Sequence, residues 1–490
     1  MTDTEPFGLL VLLTAGVGLA AVLSNRLTER VMVPAPALFL VGAAAAANAI
    51  PALHAPPAQT VERVVTVALL CILFDGGMHI GWSRFRSAAG PIAVVGVIGT
   101  FLTVAAGTVL VHLAFGLAWY IALLVATAVA PTDPAVVFSV LGRREVSGRS
   151  GTILEGESGA NDPVGIALMA GLITAGGLSA SAFAHVGEQF LVQMGIGAAV
   201  GVIGGRAVLW FMRQVPLPSE SLYPLRTLTS ALVLFGVATV AHGSGFLAVF
   251  IAGIVLGDER APYKREIERF HAALASLAEI VAFVILGLTV NLAEIARADV
   301  WIPGLILGAA LAFVIRPVFV GLCLIPARLK SNQRNFVLFA GLKGAVPILL
   351  GSFLVAAHVP HAERLYGIVV VVVVFSVVVQ GSMVPAVARR FDVPMRTIEL
   401  EPWTLGVRLR DEPEGAHRLT IRPGSTADGC TIENLAGLPG DAWVSLIVRG
   451  GQLVPVRGDT ELWAGDDVII LADPDASEAV AAVFEGPSSP

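Results

Sequence analysis

Charge is scarce in this chain. Only 14% of its 490 residues are Asp, Glu, Lys or Arg, while 56% are hydrophobic and the mean hydropathy is +0.80. No single water-soluble core can hide that much apolar surface, so the composition excludes an ordinary globular protein and points to a membrane protein. Cysteine is nearly absent. Cys71, Cys323 and Cys430 supply neither a disulfide framework nor a metal-ligand spacing, and their expected role is packing. The N-terminus, MTDTEPFGLLVLL, lacks the basic segment of a cleaved signal peptide, so the first apolar run reads as a retained helix. No basic cluster marks a nucleic-acid surface, and no nucleic-acid partner is expected. The nine histidines are scattered, with none near the acidic face described below. A membrane-embedded enzyme would need a nucleophile–base pair or a metal cluster, so no enzymatic activity and no cofactor are expected.

What the chain does have is apolar runs. They fall near 7–23, 33–50, 61–80, 91–115, 119–141, 153–178, 190–210, 227–242, 245–257, 273–290, 301–326, 336–357 and 365–387. At roughly 20 residues per crossing this makes about thirteen spans in the lipid bilayer, the run at 245–257 being short. Loop charge supports the count. Arg26 and Arg30, Arg84 and Arg86, Arg143, Arg144 and Arg149, and later Arg260, Lys264, Arg265 and Arg269 all follow odd-numbered runs. Even-numbered runs are followed by almost none, Arg297 and Arg364 excepted. The positive-inside rule then puts the N-terminus outside and the C-terminus in the cytoplasm. Residues 1–390 carry a net charge of +4 and residues 391–490 a net charge of −10. The expected organisation is a membrane domain at 1–390, a polar, proline-bearing linker at 391–416 and a small acidic α+β domain at 417–490. Glycine-rich runs such as GIGAAVGVIGG (195–205) let helices approach closely and are given no chemical role.

Few spans hold ionisable groups at depth: Asp75, Asp133, Glu157 with Asp162, Glu279, Arg316 and Lys343. In TAVAPTDPAVVF, Pro131 and Pro134 flank Thr132 and Asp133. Each proline removes a backbone donor, so the helix is expected to break there. Broken backbone survives in a membrane only where it is buried in protein or lines a cavity, and half-helix ends there can coordinate a cation. GLKGAVP, with two glycines and Pro347, is a comparable defect seven spans later in the opposite orientation. Paired defects in inverted halves are a sequence pointer to a transport site.

The sixth span opens with acidic groups, in EGESGANDPVGIAL. On a helix, Ser158 and Asp162 share one stripe and Glu157 and Asn161 the adjoining one, making a single polar face on an apolar rod. Asp162 lies roughly 13 Å along the helix, near the middle of a ~30 Å hydrocarbon core. Glu157 is shallower, at a depth Arg316 also reaches, and an ion pair between them is the cheapest way to keep both charges. Lys343 is the only basic residue at the depth of Asp162, and it is also wanted at the broken helix ends. A stranded carboxylate can hold a proton, or lose it and hold a monovalent cation, but it cannot easily do both. That competition is a mechanism of exchange.

These segments, ILFDGGM, APTDPAVV, EGESGANDPVGIAL, FLAVFIAGIVLG, the RP of FVIRPVFV and GLKGAVPILL, resemble in order the signatures of the monovalent cation/proton antiporter-1 family, the bacterial sodium or potassium/proton exchangers. The resemblance covers essentially residues 1–390. It implies an all-α membrane fold of about thirteen helices in inverted repeats with two broken, crossing helices, a homodimer, and alternating access in the bacterial plasma (inner) membrane. It implies that the cation and the proton meet at Asn161 and Asp162, completed by Thr132 and Ser158, with the cation held by Asp162, Ser158 and Thr132. It implies that Asp133 and Lys343 compensate the broken helix ends, that Asp75 assists the cytoplasmic side and that Glu157 and Arg316 are a stabilising pair. Asn161 in place of a first Asp implies electroneutral exchange. Two departures stand out. Gly159 and Ala160 replace bulkier residues, implying a wider site, and Lys343 stands where the family usually has Arg.

In the tail, PGS, VRGGQLVPVRGDT and AGDDVIIL resemble the TrkA C-terminal regulatory domain, with no dinucleotide fingerprint before it. Potassium/proton antiporters often carry such a module, which favours K+ as the cation, with Na+ possible, and implies a regulatory ligand or dimer contact in the tail. A gated cation channel with a regulatory domain is the alternative, but a filter of repeated carbonyl-donor loops is not found.

Overall fold

The computed structural model describes residues 34–50, 57–141, 144–259, 261–397, 415–439, 442–450, 452–473 and 476–486, together with Gly16 and Leu19. The apolar run at 7–23 apart from Gly16 and Leu19, the basic residues Arg26, Arg30, Arg143 and Arg260, and most of the linker lie outside them. The chain divides into two compact units, Met1–Ile398 and Glu399–Pro490.

The first unit is helical because its apolar runs are long, and a helix satisfies its own backbone without water. The helices are α1 (Ala35–Ala49), α2 (Ala58–Ala93), α3 (Thr100–Phe115), α4 (Trp119–Ala128), α5 (Pro134–Leu141), α6 (Arg149–Ala175), α7 (Ala180–Gln214) and α8 (Leu222–Val240). They continue with α9 (Gly245–Gly257), α10 (Lys264–Leu288), α11 (Ala298–Ala310), α12 (Ser331–Phe339), α13 (Ala345–Ala356), α14 (Ala362–Val374) and α15 (Gly381–Arg390). Gln59–Phe115, Ala180–Gln214, Leu222–Val240, Lys264–Leu288, Ala298–Cys323 and Ala362–Arg390 are each long and apolar enough to cross a membrane. α6 falls outside that set because polar residues dilute its first half.

Two expected spans, 61–80 and 91–115, join without a gap. Their boundary is a single break at Gly81, whose φ of 65° suits a residue without Cβ. The Asp258 carboxylate accepts from the Ser83 N–H there and so caps the restarted helix. The chain then passes through a π-helical stretch, Val94–Gly99, into α3. Small residues set the helix spacing. A Cβ on Gly197 would meet the Ser244 carbonyl at 2.6 Å, and one on Gly201 the Ala248 carbonyl at 2.7 Å, so α7 lies backbone to backbone on α9. α6 is sheathed by α2, α4, α7, α9, α12 and α13, and nearly all of it from Ser150 to Leu172 is buried. An antiparallel ribbon, β1 (Arg144–Val146) with β2 (Met395–Thr397), ties the segment before α6 to the one after α15.

The second unit holds a four-stranded antiparallel sheet of order β3–β6–β4–β5, with β3 (Ala416–Thr420), β4 (Trp443–Arg449), β5 (Gln452–Val454) and β6 (Asp467–Leu471). Alternation along β6 buries Val468 and Ile470 against Phe484 and Val480 of α16 (Ser477–Glu485). The buried Asp466 carboxylate receives Arg449 Nε at 2.8 Å and Nη2 at 2.7 Å and the Trp463 N–H at 2.9 Å, while the Arg449 guanidinium stacks 3.9 Å over the Trp463 ring.

Burial alone raises the pKa of Asp466, but the hydrogen bonds from Arg449 and Trp463 outweigh it and hold the carboxyl below its ordinary value. The stability this gives is present above the unfolded carboxyl's pKa of about 3.9 and is lost as pH falls through the lower folded value. Asp466→Ala is expected to cost the tail about 1–3 kcal/mol at pH 7. Urea unfolding followed by hydrogen exchange across β4–β6 should show that loss, with the gap from wild type closing below about pH 4.

Candidate ion site

Two helix pairs are interrupted at the positions the proline and glycine defects predict. α4 stops at Ala128 and α5 starts at Pro134; α12 stops at Phe339 and α13 starts at Ala345. The two breaks touch. The Asp133 N–H donates to the Leu342 carbonyl at 2.8 Å, and the Asp133 carboxylate lies against Gly344, where any Cβ would collide with it. That carboxylate accepts from the Ala135 N–H at 2.9 Å and also faces the N–H groups of Val136 and Ala345. One aspartate therefore serves the N-terminal ends of both half-helices, where the partial charge is positive.

Cations serve the opposite ends. Lys343 Nζ donates to the Ala130 carbonyl at 2.8 Å, just past α4. Arg316 donates to the carbonyls of Leu338, at 2.9 Å, and Val337, at 3.2 Å, in the last turn of α12. Gln380 Nε2 donates to the Phe339 carbonyl at 2.6 Å, and Ser376 Oγ accepts from the Lys343 N–H at 2.9 Å and donates to Gln380 at 3.1 Å. No motif in the sequence marks Ser376 and Gln380 for this role. Two polar residues four apart in a run of valines were the available signal, since that spacing puts both on one face.

Arg316 also makes the expected pair with Glu157. The contact is two-pronged, Nη1–Oε1 2.6 Å and Nη2–Oε2 2.8 Å, with both residues buried. Asn161 bridges α6 to the first break: Oδ1 accepts from the Thr132 N–H at 3.3 Å and Nδ2 donates to Thr132 Oγ1 at 2.7 Å. A backbone N–H can only donate, so this contact fixes the orientation of the amide.

Asp162 lies one residue further on and is buried, and Oδ1 has no hydrogen-bond partner among the described residues. Ser158, one turn earlier, addresses the carboxylate with its hydroxyl, and Asp133 and Lys343 are its charged neighbours. The structure thus brings Thr132, Asp133, Ser158, Asn161, Asp162 and Lys343 together, with Glu157 and Arg316 beside them. Asp75 has His79 and Glu268 as its charged neighbours, and none of the contacts above involves it. A further carboxylate, Glu155, faces Arg84 at 3.6 Å and His79 at 3.9 Å.

The expectation that Gly159 and Ala160 widen the site is corrected. The Phe250 ring of α9 sits directly against Gly159, and a Cβ on Gly96 would meet that of Ala160 at 2.6 Å. The small residues are filled by neighbouring helices and let them close on α6.

Fold and site together define a multi-pass membrane transporter, in which irregular backbone is held by charge and one carboxylate is left over. A family model described as "Sodium/hydrogen exchanger, transmembrane" matches residues 11–390, and a TrkA-C domain model matches 416–485. The K(+)/H(+) antiporter NhaP2 of Shewanella oneidensis is 30% identical over 98% of this chain and 84% of its own length. The K(+)/H(+) antiporter NhaP of Alkalimonas amylolytica is 31% identical over 97% and 84%. The solved structure of the sodium proton antiporter MjNhaP1 from Methanocaldococcus jannaschii superposes with a TM-score of 0.63 at 22% identity, covering 76% of this chain and 99% of that one. The chain belongs to the sodium/hydrogen exchanger family and carries a TrkA-C domain.

Glu157→Ala leaves Arg316 buried without its counter-charge and is expected to cost about 3–5 kcal/mol. The melting temperature of the purified protein should drop while the half-saturating cation concentration holds. Gly344→Ala drives a methyl into the Asp133 carboxylate and is expected to abolish exchange in reconstituted vesicles, with Gly341→Ala, beside the Arg316 guanidinium, as a test of the neighbouring contact.

Proposed function

We propose that this protein exchanges one monovalent cation, K+ ahead of Na+, for one H+ across a bacterial plasma membrane. The observation that carries the proposal is the buried Asp162 oxygen without a partner beside two broken helices. Its neighbours are committed. Asp133 is held by helix N-termini, Lys343 by a helix C-terminal carbonyl, and Glu157 and Arg316 neutralise each other. Within this group Lys343 offsets Asp133, and the negative charge of Asp162 is neutralised by either a proton or a cation. One charge for one charge makes the cycle electroneutral.

In this reading Asp162, Ser158 and Thr132 hold the cation, Asn161 fixes Thr132 in place, and Asp75 assists from the cytoplasmic side. Half-helices packed through a shared aspartate can move together, which suits alternating access. We further propose thirteen spans in inverted repeats, a homodimer, an external N-terminus, and a cytoplasmic tail, 417–490, that regulates transport across the linker 391–416. The preference for K+ rests on the TrkA-C domain and on relatives named K(+)/H(+) antiporters.

Vesicles containing a pH-sensitive dye test the exchange. K+, Na+, Li+ or Rb+ added to wild type is expected to drive proton movement, greatest with K+ and unaffected by collapse of the membrane potential. Asp162→Asn should purify normally and show none. Full exchange in that variant would remove Asp162 from the mechanism.

A further inference from the structure

Glu279 is a deep acidic group to which neither the site contacts nor the proposed exchange cycle gives a part. It lies on α10, and its Oε1 is closed off from solvent with no hydrogen-bond partner among the described residues. Its charged neighbour is Asp133, whose carboxylate joins the two breaks. An unpartnered carboxylate oxygen in a protein interior is a standing cost, which a bound cation would remove. α10 packs against both α2 and α13, and α2 packs against α13. A cavity of about 430 Å³ is lined by Val61 of α2, Leu288 at the end of α10, Asn291 and Glu294 just beyond it, Ser352 of α13 and Glu363 of α14. Glu279 is roughly 13 Å down α10 from the cavity wall at Leu288, and Ser352 is roughly 10 Å along α13 from Ala345, which faces Asp133. Cavity, Glu279 and helix break thus lie along one seam. α1, which also packs on α10, brings no ionisable side chain, and α13 brings none.

We propose that the α2–α10–α13 seam is the route by which the transported cation passes between this cavity and Asp162, with Glu279 holding it part-way. The cavity supplies room for a hydrated ion, Glu363 on its rim draws in positive charge while Glu294 is paired with Arg297 at 3.2 Å, and Glu279 replaces lost water before the cation reaches the break. The inference rests on Asp162 as the exchange site.

In vesicles, Glu279→Gln is expected to raise the half-saturating K+ concentration at least fivefold at fixed pH, with Glu279→Asp between it and wild type. In a chain with Cys71, Cys323 and Cys430 replaced by Ala, Glu279→Cys should react with a membrane-impermeant cationic methanethiosulfonate added on the face that bears Asn291 and Glu294. K+ should slow that reaction. A monodisperse Glu279→Gln protein with wild-type K+ saturation, or a Glu279→Cys thiol that the reagent never reaches from that face, would overturn the proposal. Asp162→Asn measured in parallel separates the outcomes. If it still exchanges, the site reading fails. If it is inactive while Glu279→Gln behaves as wild type, only the route fails.

Discussion

The constraint on which the rest depends is that backbone polar groups inside a membrane cannot turn to water. Two helices are broken at depth, and every exposed end has to be met by protein. Asp133 meets both N-terminal ends, Lys343 and Arg316 meet the C-terminal ends, and Gln380 and Ser376 take up a remaining carbonyl and N–H. Each charged residue used this way is spoken for. The site is defined by what remains at the breaks after that accounting, the Asp162 carboxylate on α6, with Glu279 on α10 unpartnered beyond it.

This arrangement makes chemistry and architecture inseparable. The donors that hold the breaks together are the residues that set the local charge, so moving the half-helices would move the electrostatic environment of Asp162 with them. Asn161 is the mechanical link, since its amide grips both the backbone and the hydroxyl of Thr132. Arg316 has a double duty, pairing with Glu157 while capping α12, so that α6 and the second break share one cation. In water such pairs contribute little. In a low-dielectric interior they fix the register of helices that packing of small residues alone leaves free to slide.

Much of this was legible in the sequence. Apolar runs placed the helices, because a membrane span needs length and little else. Pro131, Pro134, Gly341, Gly344 and Pro347 placed the breaks, because they cannot continue a helix comfortably wherever they stand. The spacing of Ser158, Asn161 and Asp162 placed the acidic face. Less was legible where partners come from far away in the chain. In the sequence the small residues Gly159 and Ala160 look like space around an ion, whereas Phe250 and Gly96 from other helices close that space. Ser376 and Gln380 are not marked as partners in the sequence, since polar side chains in a late helix carry no sign of which backbone they will reach.

The sequence by itself determined which segments are helical, where two of them must break and which side chains share a face. These are local properties, set by 3.6 residues per turn and by the covalent limits of proline and glycine. Only the tertiary structure decided the partnerships: that Lys343 goes to the Ala130 carbonyl, that Arg316 serves α12 as well as Glu157, and that Asp162 is left over. Those choices depend on the rotation and depth of helices that lie far apart in the chain, and no local pattern encodes them.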